Sequence, residues 1–260
     1  MIIYLYDGSF EGLLTAVFDA YEKTEIPDEI VYDKKFNTPL FFTPHEVLTD
    51  PEKASRVAVK IAEKMGHYSL QTIIYCYLSE MSKTENAIFH YIKHGLNLGE
   101  SVNSYLTDSN VATVLNLSKK VLSEAHRLKG LVRFTQIEDI LYAPVSPDFN
   151  VTSLLAEHFI KRLSGEKWIL HDTRRKSAVY YDSTELYQLD IKDELKQILK
   201  KYGTTIKTDE DIYSALWKTY FKAISIESKQ NLKLQRQHMP KKYWQYLTEK
   251  IISQKKEETP

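Results

Sequence analysis

Among the acids and histidines between residues 124 and 182, two are candidates for a general acid or base. His126 stands in the run EAHRLKGLVRF, and an imidazole changes its charge near neutral pH. Asp172 stands in WILHDTRRK, where it could act as a general base or form an ion pair with Arg174. The ion pair is the simpler interpretation for an acid beside a basic turn. His126 and Asp172 are therefore candidate catalytic residues, but their spacing does not define a reaction.

Basic, amide and aromatic residues are interleaved in three clusters, a pattern typical of surfaces that bind nucleic acid. Lysine and arginine neutralise phosphates, asparagine and glutamine read base edges, and aromatic rings stack on bases. An ordinary solvated surface is the alternative, because exposed turns are often basic and a tryptophan in a strand usually belongs to the core. The candidate nucleic-acid-binding residues are Arg127, Lys129 and Arg133, then Trp168, Arg174 and Arg175, and finally Asn231, Gln235, Arg236, Lys241 and Lys242.

The chain contains one cysteine, Cys76, and this excludes several cofactors. A disulfide framework, a four-cysteine zinc site and a self-contained iron–sulfur cluster all need more than one. The apolar surroundings of Cys76 indicate a buried thiol rather than a nucleophile. His90 and His94 have helical i,i+4 spacing but lack the third ligand and HExxH arrangement of a zinc site. The sequence also has no Walker loop, GxSxG elbow or kinase motif, so we predict no metal and no cofactor.

Charge is balanced over the whole chain but unevenly distributed along it. With 35 basic and 35 acidic residues, no overall field attracts the protein to nucleic acid. Residues 1–50 contain three lysines and ten carboxylates, whereas 119–176 contain eleven basic and seven acidic residues, and 229–250 contain six and one. The N-terminus lacks the features of a signal peptide, and no apolar run approaches the roughly 20 residues of a membrane span. These features predict a cytoplasmic protein without a membrane partner.

The elements that must position these residues begin with a strand at Ile2–Tyr6 and a helix at Phe10–Tyr21. Ser9, in the turn between them, is the expected helix cap. Residues 39–47 predict a second short strand. Asp50-Pro51 combines a preferred N-cap with proline at the first helical position, so it predicts the start of another helix.

More helices are predicted before residue 130. The segment 68–81 is apolar almost all round, which predicts a buried helix. Ser82-Lys83-Thr84-Glu85 fits a capping box, with Ser82 as the cap of a helix that runs toward Gly95. A further helix is predicted at about 109–125. The first half of the chain is therefore mainly helical.

The pattern changes at Gly130 to short apolar runs. LVRF and ILYAPV predict two strands joined by a turn at Glu138-Asp139, and in LVRF the side chain of Arg133 should alternate with its neighbours. A helix at about 154–163 precedes three more strands, WILHD, SAVYYD and LYQLD, and helices are predicted again beyond Asp190. The order β-β-α-β-β-β favours a largely antiparallel sheet with helices on one side. The prediction is an α+β fold, mostly helical in its N- and C-terminal parts around this small sheet.

At the three basic clusters the sequence resembles a bacterial domain family of unknown function. The resemblance rests on EAHRLKGLVRF, LLAEHFIKRL, WILHDTRRKSAVYYD and IESKQNLKLQRQHMPKKYW, and it covers most of the chain. Members of this family look like DNA-metabolism or repair proteins. They are encoded beside a radical S-adenosylmethionine (radical-SAM) protein thought to modify or repair DNA, and related domains are fused to uracil-DNA-glycosylase-like proteins. The resemblance implies DNA and a radical-SAM protein as partners, and with one cysteine any radical chemistry belongs to that partner.

The resemblance divides the chain into an N-terminal strand–helix segment with the first helices, at 1–80, and a family core at 81–250. The core contains the sheet, at about 130–191, and the C-terminal helices. Since no stretch between them has the composition of a linker, we predict one compact unit.

Three functions remain open at this point. The first is a DNA repair or modification accessory protein that binds DNA, or a complex of DNA with the radical-SAM partner, through its basic face. The second is a hydrolase or glycosylase-like enzyme acting on a damaged base, with Asp172 or His126 as acid or base. The third is a protein-interaction module that makes no contact with nucleic acid.

Overall fold

A computed structural model of the chain describes residues 2–32, 44–137, 139–190 and 232–247. The chain divides into two compact units, Met1–Leu122 and Ser123–Pro260, here called unit 1 and unit 2.

Unit 1 contains a small parallel sheet in the order β2-β1-β3. The central strand β1 (Ile3–Tyr6) is buried along its whole length, as its apolar and aromatic residues predict. Strand β2 (Glu29–Tyr32) is not predicted from the sequence, because its four residues follow a proline without a clear alternating pattern. Of the strand predicted at 39–47, the structure describes only residues from 44 onward, and there β3 (His45–Glu46) pairs with β1.

Two helices of unit 1 begin where their caps predict. Ser9 caps α1 (Phe10–Glu22), and its hydroxyl accepts a hydrogen bond from the amide of Gly12 at 2.9 Å. Asp50 caps α2 (Pro51–Tyr77) by accepting from the amides of Glu52 and Lys53. Helix α2 changes direction at Gly66, whose φ of 79° lies in the left-handed region that favours glycine. Local sequence signals are sufficient for these boundaries.

The prediction that Ser82 caps the next helix is wrong. Helix α3 (Thr84–Leu98) follows Lys83, which has a left-handed backbone and makes no side-chain cap. The Thr84 hydroxyl instead donates to the carbonyl of Met81 at 2.7 Å, so the turn tightens and the helix starts later. A 3₁₀ helix (Gly99–Ser104) leads to α4 (Ser109–Leu131), where Asp108 accepts hydrogen bonds from two amides of the first turn.

The prediction of a strand at LVRF is also wrong, because α4 continues to Leu131 and residues 132–134 belong to no regular element. The Arg133 guanidinium turns back and donates to the carbonyls of Gly130 and Val132, at 2.9 and 3.2 Å. Unpaired carbonyls at a helix C-terminus are good acceptors for a cation, and this contact competes with strand formation.

The sheet of unit 2 has the order β4-β5-β6-β7-β8. Its strands are β4 (Thr135–Ile137), β5 (Ile140–Val145), β6 (Trp168–Asp172), β7 (Ser177–Tyr181) and β8 (Leu186–Asp190). Strands β5 and β6 are parallel, since α5 (Thr152–Arg162) connects them, and the other neighbouring pairs are antiparallel. The fold is therefore α+β, as predicted, with a mixed sheet.

Helix α5 covers one face of this sheet through aromatic contacts. The ring centroids of Phe159 and Trp168 are 6.3 Å apart, and those of Trp168 and Tyr181 are 5.4 Å apart. At the C-terminus, α6 (Leu232–His238) is followed by a 3₁₀ helix (Lys241–Tyr246). The helices predicted between residues 191 and 231 and beyond 247 lie outside the described residues. Among the described helices, none combines the length and apolar character that crossing a membrane requires.

Candidate functional site

The loop after β5 is contacted by three parts of unit 2 that are far apart in the sequence: helix α4, the turn between β6 and β7, and the C-terminal 3₁₀ helix. Glu124 of α4 is buried, with 4% of its side chain exposed, and it accepts hydrogen bonds from two loop amides. The amide of Asp148 donates to its Oε1 at 3.0 Å, and the amide of Phe149 donates to its Oε2 at 2.8 Å. A carboxylate that accepts from successive amides fixes a loop in one conformation, as a side-chain cap fixes a helix end.

The C-terminal 3₁₀ helix reaches the same carboxylate. Lys242 Nζ lies 3.1 Å from Oε1 of Glu124, and the hydroxyl of Tyr243 donates to that oxygen. Burial alone would lower the pKa of Lys242, but its hydrogen bonds with Asp148, Tyr243 and Glu124 raise it overall. Burial and the bond to Glu124 also raise the pKa of the Tyr243 phenol. Lys242 is therefore a fixed cation, and Tyr243 is a neutral donor at physiological pH.

The turn between β6 and β7 approaches the loop from another side. Asp172 is fully buried, and its Oδ1 accepts hydrogen bonds from the amides of Arg174 and Arg175, at 2.9 and 3.1 Å. Its Oδ2 lies 3.0 Å from Nη1 of Arg175. The same guanidinium donates to the carbonyls of Pro147 and Asp148, at 3.3 and 2.9 Å. Asp172 and Arg175 thus hold the turn and the loop together.

Arg174 pairs with a different acid from the one expected. Its Nη1 lies 3.2 Å from Oδ1 of Asp148, while Lys242 Nζ contacts the other oxygen of that carboxylate. Three cations and three carboxylates therefore balance one another at this point. We call the set the Asp148 network, and its members are Glu124, Asp148, Asp172, Arg174, Arg175, Lys242 and Tyr243.

The two candidate catalytic residues have different environments. His126 is exposed on α4, whereas both carboxylate oxygens of Asp172 bind the turn that follows it. The geometry assigns Asp172 a structural contact and leaves His126 at the surface.

The candidate nucleic-acid-binding residues fall into two groups. The first is engaged in contacts within unit 2: Trp168 is completely buried, Arg133 donates to a carbonyl at the end of α4, and Arg175 is 15% exposed in the Asp148 network. A buried ring has no face on which a base could stack. The second group is accessible to solvent and consists of Arg127, Lys129, Arg174, Gln235, Arg236, Lys241 and Lys242. Asn231 lies outside the described residues.

A second basic feature lies on the helices of unit 2, where Lys129, a candidate predicted from the sequence, is joined by Arg162, which was not singled out from the sequence. Burial lowers the pKa of the His158 imidazole, and the charges of Lys129 on α4 and Arg162 on α5 lower it further. In the part of the chain that the structure describes, no hydrogen bond or ion pair engages the side chain of Lys129 or Arg162. We call Lys129 and Arg162 the helix pair. Two unneutralised cations of this kind are suited to bind phosphates.

The opposite face of the sheet has a hydrogen-bonded pair of its own. The hydroxyl of Tyr142 lies 2.7 Å from Nδ1 of His171, on neighbouring strands. Burial raises the pKa of Tyr142 to about 12. Burial also lowers the pKa of His171, although the nearby Asp172 charge opposes this effect. His171 is therefore predominantly neutral at pH 7 in the folded protein.

The stability of unit 2 should consequently fall as the pH drops below about 6.5, the ordinary pKa of histidine. Stability falls at low pH because the pKa of His171 is lower in the folded protein than in the unfolded chain, so the unfolded chain binds the proton more readily. The stabilising effect is complete above the unfolded-state pKa and is lost as the pH falls toward the folded-state value. Urea denaturation at a series of pH values measures this dependence. It should become shallower in His171→Gln, where the lowered pKa of His158 still contributes, and it should persist in full in His126→Gln. Equal slopes in both variants would contradict the assignment.

The described residues contain no group of three or more His, Cys, Asp or Glu side chains that could hold a metal ion. His94, one of the two histidines with helical spacing, instead lies 3.3 Å from a carboxylate oxygen of Asp108. Cys76 is buried, and burial raises the pKa of its thiol to about 12, which keeps it protonated and unreactive.

Comparison with known proteins identifies one family. Residues 82–249 match the sequence profile of a domain of unknown function, DUF4130. No curated protein matches the chain.

Proposed function

The chain belongs to the DUF4130 family, and from this premise we propose that it is a DNA-binding accessory protein of DNA repair or modification. It binds DNA through unit 2, alone or together with a radical-SAM protein that carries out the chemistry. The partner is proposed from the family resemblance of the basic clusters. The contact with DNA is proposed from charge.

The distribution of charge between the two units is the observation on which the proposal rests. Residues 1–122 contain 11 Lys or Arg and 16 Asp or Glu, whereas residues 123–260 contain 24 and 19. A neutral chain is thus composed of an acidic unit and a basic unit of equal and opposite net charge. Binding of nucleic acid depends strongly on phosphate neutralisation, so unit 2 is the favourable surface and unit 1 is unfavourable.

The helix pair offers the most direct contact with phosphate. Arg133 and Arg175 already bind backbone carbonyls, so their replacement would change the fold as well as the charge. Lys129 and Arg162 carry no such role in the described structure. Their replacement therefore tests DNA binding with little effect on stability.

We expect the double variant Lys129→Ala/Arg162→Ala to bind DNA roughly tenfold more weakly and to reduce the salt slope by about 2, one for each lost phosphate contact. Fluorescence anisotropy with labelled single- and double-stranded oligonucleotides, at salt from about 50 to about 200 mM, measures both quantities. The matched control is Lys60→Ala/Lys64→Ala, which removes two exposed cations from unit 1. The proposal is wrong if the wild-type protein fails to bind either oligonucleotide when it is tested alone and also when the radical-SAM protein is present.

The enzyme hypothesis has no comparable support. His126 is exposed, Asp172 is buried in the turn, and each has a different set of neighbours. An acid and a base that act on one substrate must both reach it, and the geometry of these two residues does not favour that arrangement.

A further inference from the structure

The carboxylate of Asp148 lies between two cations at the surface of unit 2. Nη1 of Arg174 lies 3.2 Å from its Oδ1, and Nζ of Lys242 contacts its Oδ2. The side chains of Asp148 and Arg174 are 55% and 56% exposed, and that of Lys242 is 37% exposed. The two cations come from separate elements, the β6–β7 turn and the C-terminal 3₁₀ helix, and they share one small anion.

The carboxylate can leave this position without disturbing the loop. The amide of Asp148 is held by Glu124 at 3.0 Å, and its carbonyl accepts from Nη2 of Arg175 at 2.9 Å. Nη1 of Arg174 also lies 3.5 Å from this carbonyl, a contact that does not involve the carboxylate. The backbone is therefore fixed without the Asp148 carboxylate, and rotation of the side chain breaks only exposed ion pairs. Exposed pairs contribute little to stability because water and salt screen them.

The remaining cations are also held in place. Lys242 keeps its contact with Oε1 of Glu124, at 3.1 Å, and the backbone of Arg174 is fixed by its hydrogen bond to Asp172. Two positioned donors that bind the two oxygens of a carboxylate can bind two oxygens of a phosphate in the same way. A guanidinium beside an ammonium is a frequent phosphate-binding combination in proteins.

We propose that Arg174 and Lys242 form a phosphate-binding site, which the Asp148 carboxylate occupies in the free protein and vacates when a phosphodiester binds. The inference rests on the proposed DNA-binding function and names one phosphate contact within it. Asp148 is then an internal competitor that weakens binding of isolated phosphates. It favours ligands in which a phosphate at this site is joined to phosphates bound elsewhere, as in a nucleic-acid strand.

The variant Asp148→Asn tests the proposal, because it removes the competing charge but keeps the size of the side chain. We expect it to bind a labelled oligonucleotide about fivefold more tightly than the wild type, which corresponds to about 1 kcal/mol. Asp139→Asn is the matched control, since Asp139 is also an exposed acid of unit 2 in an ion pair, 3.5 Å from Nζ of Lys167. Its affinity should change less than about twofold. An equal gain in both variants would show a general charge effect and overturn the proposal.

A second variant keeps the test valid if Asp148→Asn disturbs the loop. Arg174→Ala removes one half of the site from a largely exposed position, and it should weaken oligonucleotide binding and shrink the salt slope by about 1. In the double variant with Asp148→Asn, the fivefold gain should disappear. If Arg174→Ala leaves both affinity and slope unchanged, Arg174 does not hold phosphate and the proposal is wrong.

Titration with inorganic phosphate distinguishes a site for free phosphate from a site for the phosphates of a nucleic-acid strand. It also distinguishes failure of the phosphate site from failure of the proposed DNA-binding function. Binding of oligonucleotide by the wild type without any effect of Asp148→Asn or Arg174→Ala refutes the site and leaves the DNA-binding function standing. Binding of inorganic phosphate by Asp148→Asn, when no variant binds oligonucleotide, supports the site and refutes the function. Binding of neither ligand by any variant refutes both.

Discussion

Replacing Glu124 by alanine should lower the free energy of unfolding of unit 2 by about 3–5 kcal/mol. The substitution leaves the Lys242 ammonium, the Tyr243 hydroxyl and the amides of Asp148 and Phe149 without the carboxylate that accepts from all of them. Tyr243 is only 2% exposed, so water cannot fully replace the lost acceptor. Removal of one partner from a buried charged cluster costs more than the cluster contributes as a whole, because the other groups remain desolvated.

Tryptophan fluorescence isolates the relevant transition. The three tryptophans, Trp168, Trp217 and Trp244, all belong to unit 2, so their signal in urea follows that unit and not unit 1. Glu124→Gln keeps one carbonyl acceptor and the side-chain volume, and it should cost about 1–3 kcal/mol. Glu157→Ala is the control, because Glu157 is 73% exposed and pairs with Lys161 on the surface of α5. Its cost should stay below about 1 kcal/mol. Similar losses in Glu124→Ala and Glu157→Ala would contradict the central role of Glu124.

The sequence predicts elements well where the determining signal is local. Asp50 followed by Pro51, and Ser9 before an apolar helix, lie within one turn of the helices they start. The apolar, β-branched and aromatic residues of β6 and β7 likewise predict those two strands. In each case the deciding contact joins residues that are neighbours in the chain, so a pattern of a few residues is enough.

Prediction fails where a distant or competing contact decides the structure. The run LVRF has the composition of a strand, but Leu131 ends a helix and Arg133 turns back to its carbonyls. Glu124 and Lys242 are 118 positions apart, and no spacing rule connects a glutamate in a helix with a lysine in the C-terminal segment. The sequence singles out the cations of the Asp148 network, but it assigns Arg174 and Arg175 to one cluster and Lys242 to another. It does not reveal that each of them already has a carboxylate beside it.

This pairing changes the interpretation of the basic clusters. A count of lysines and arginines treats every cation as available, whereas the structure shows Arg175 and Arg133 committed to backbone carbonyls. Lys129 and Arg162, on α4 and α5, carry no such commitment among the described residues. Lys129 is among the candidates predicted from the sequence, whereas Arg162 is not. The net charge of each unit is not affected, because ion pairing within a unit does not change the sum of its charges. The proposal of DNA binding therefore rests on the charge of unit 2 and on the helix pair.

Replacing Asp172 by alanine should also destabilise unit 2 by about 3–5 kcal/mol, for a different physical reason. The amides of Arg174 and Arg175 lose their acceptor in the turn, and the Arg175 guanidinium, 15% exposed, loses its counter-charge. Asp182 is a matched control, because its Oδ1 also accepts from two amides of a hairpin turn, those of Thr184 and Glu185. It has no buried cation beside it in the described structure, so Asp182→Ala should cost clearly less than Asp172→Ala, since only the acceptor for the turn is lost.

A double-variant cycle then separates the turn from the ion pair. Asp172→Asn keeps an acceptor for the two amides but removes the charge, and Arg175→Met removes the cation while keeping an apolar stem. If the buried pair is the main term, the double variant should be more stable than the sum of the single losses predicts, by about 1–3 kcal/mol. The same cycle tests the catalytic alternative, since a general base is needed for turnover rather than for stability. If Asp172→Asn is as stable as the wild type, Asp172 has no structural role and is again a candidate general base. If Asp172→Asn loses stability as expected, the structural role alone explains why Asp172 is buried.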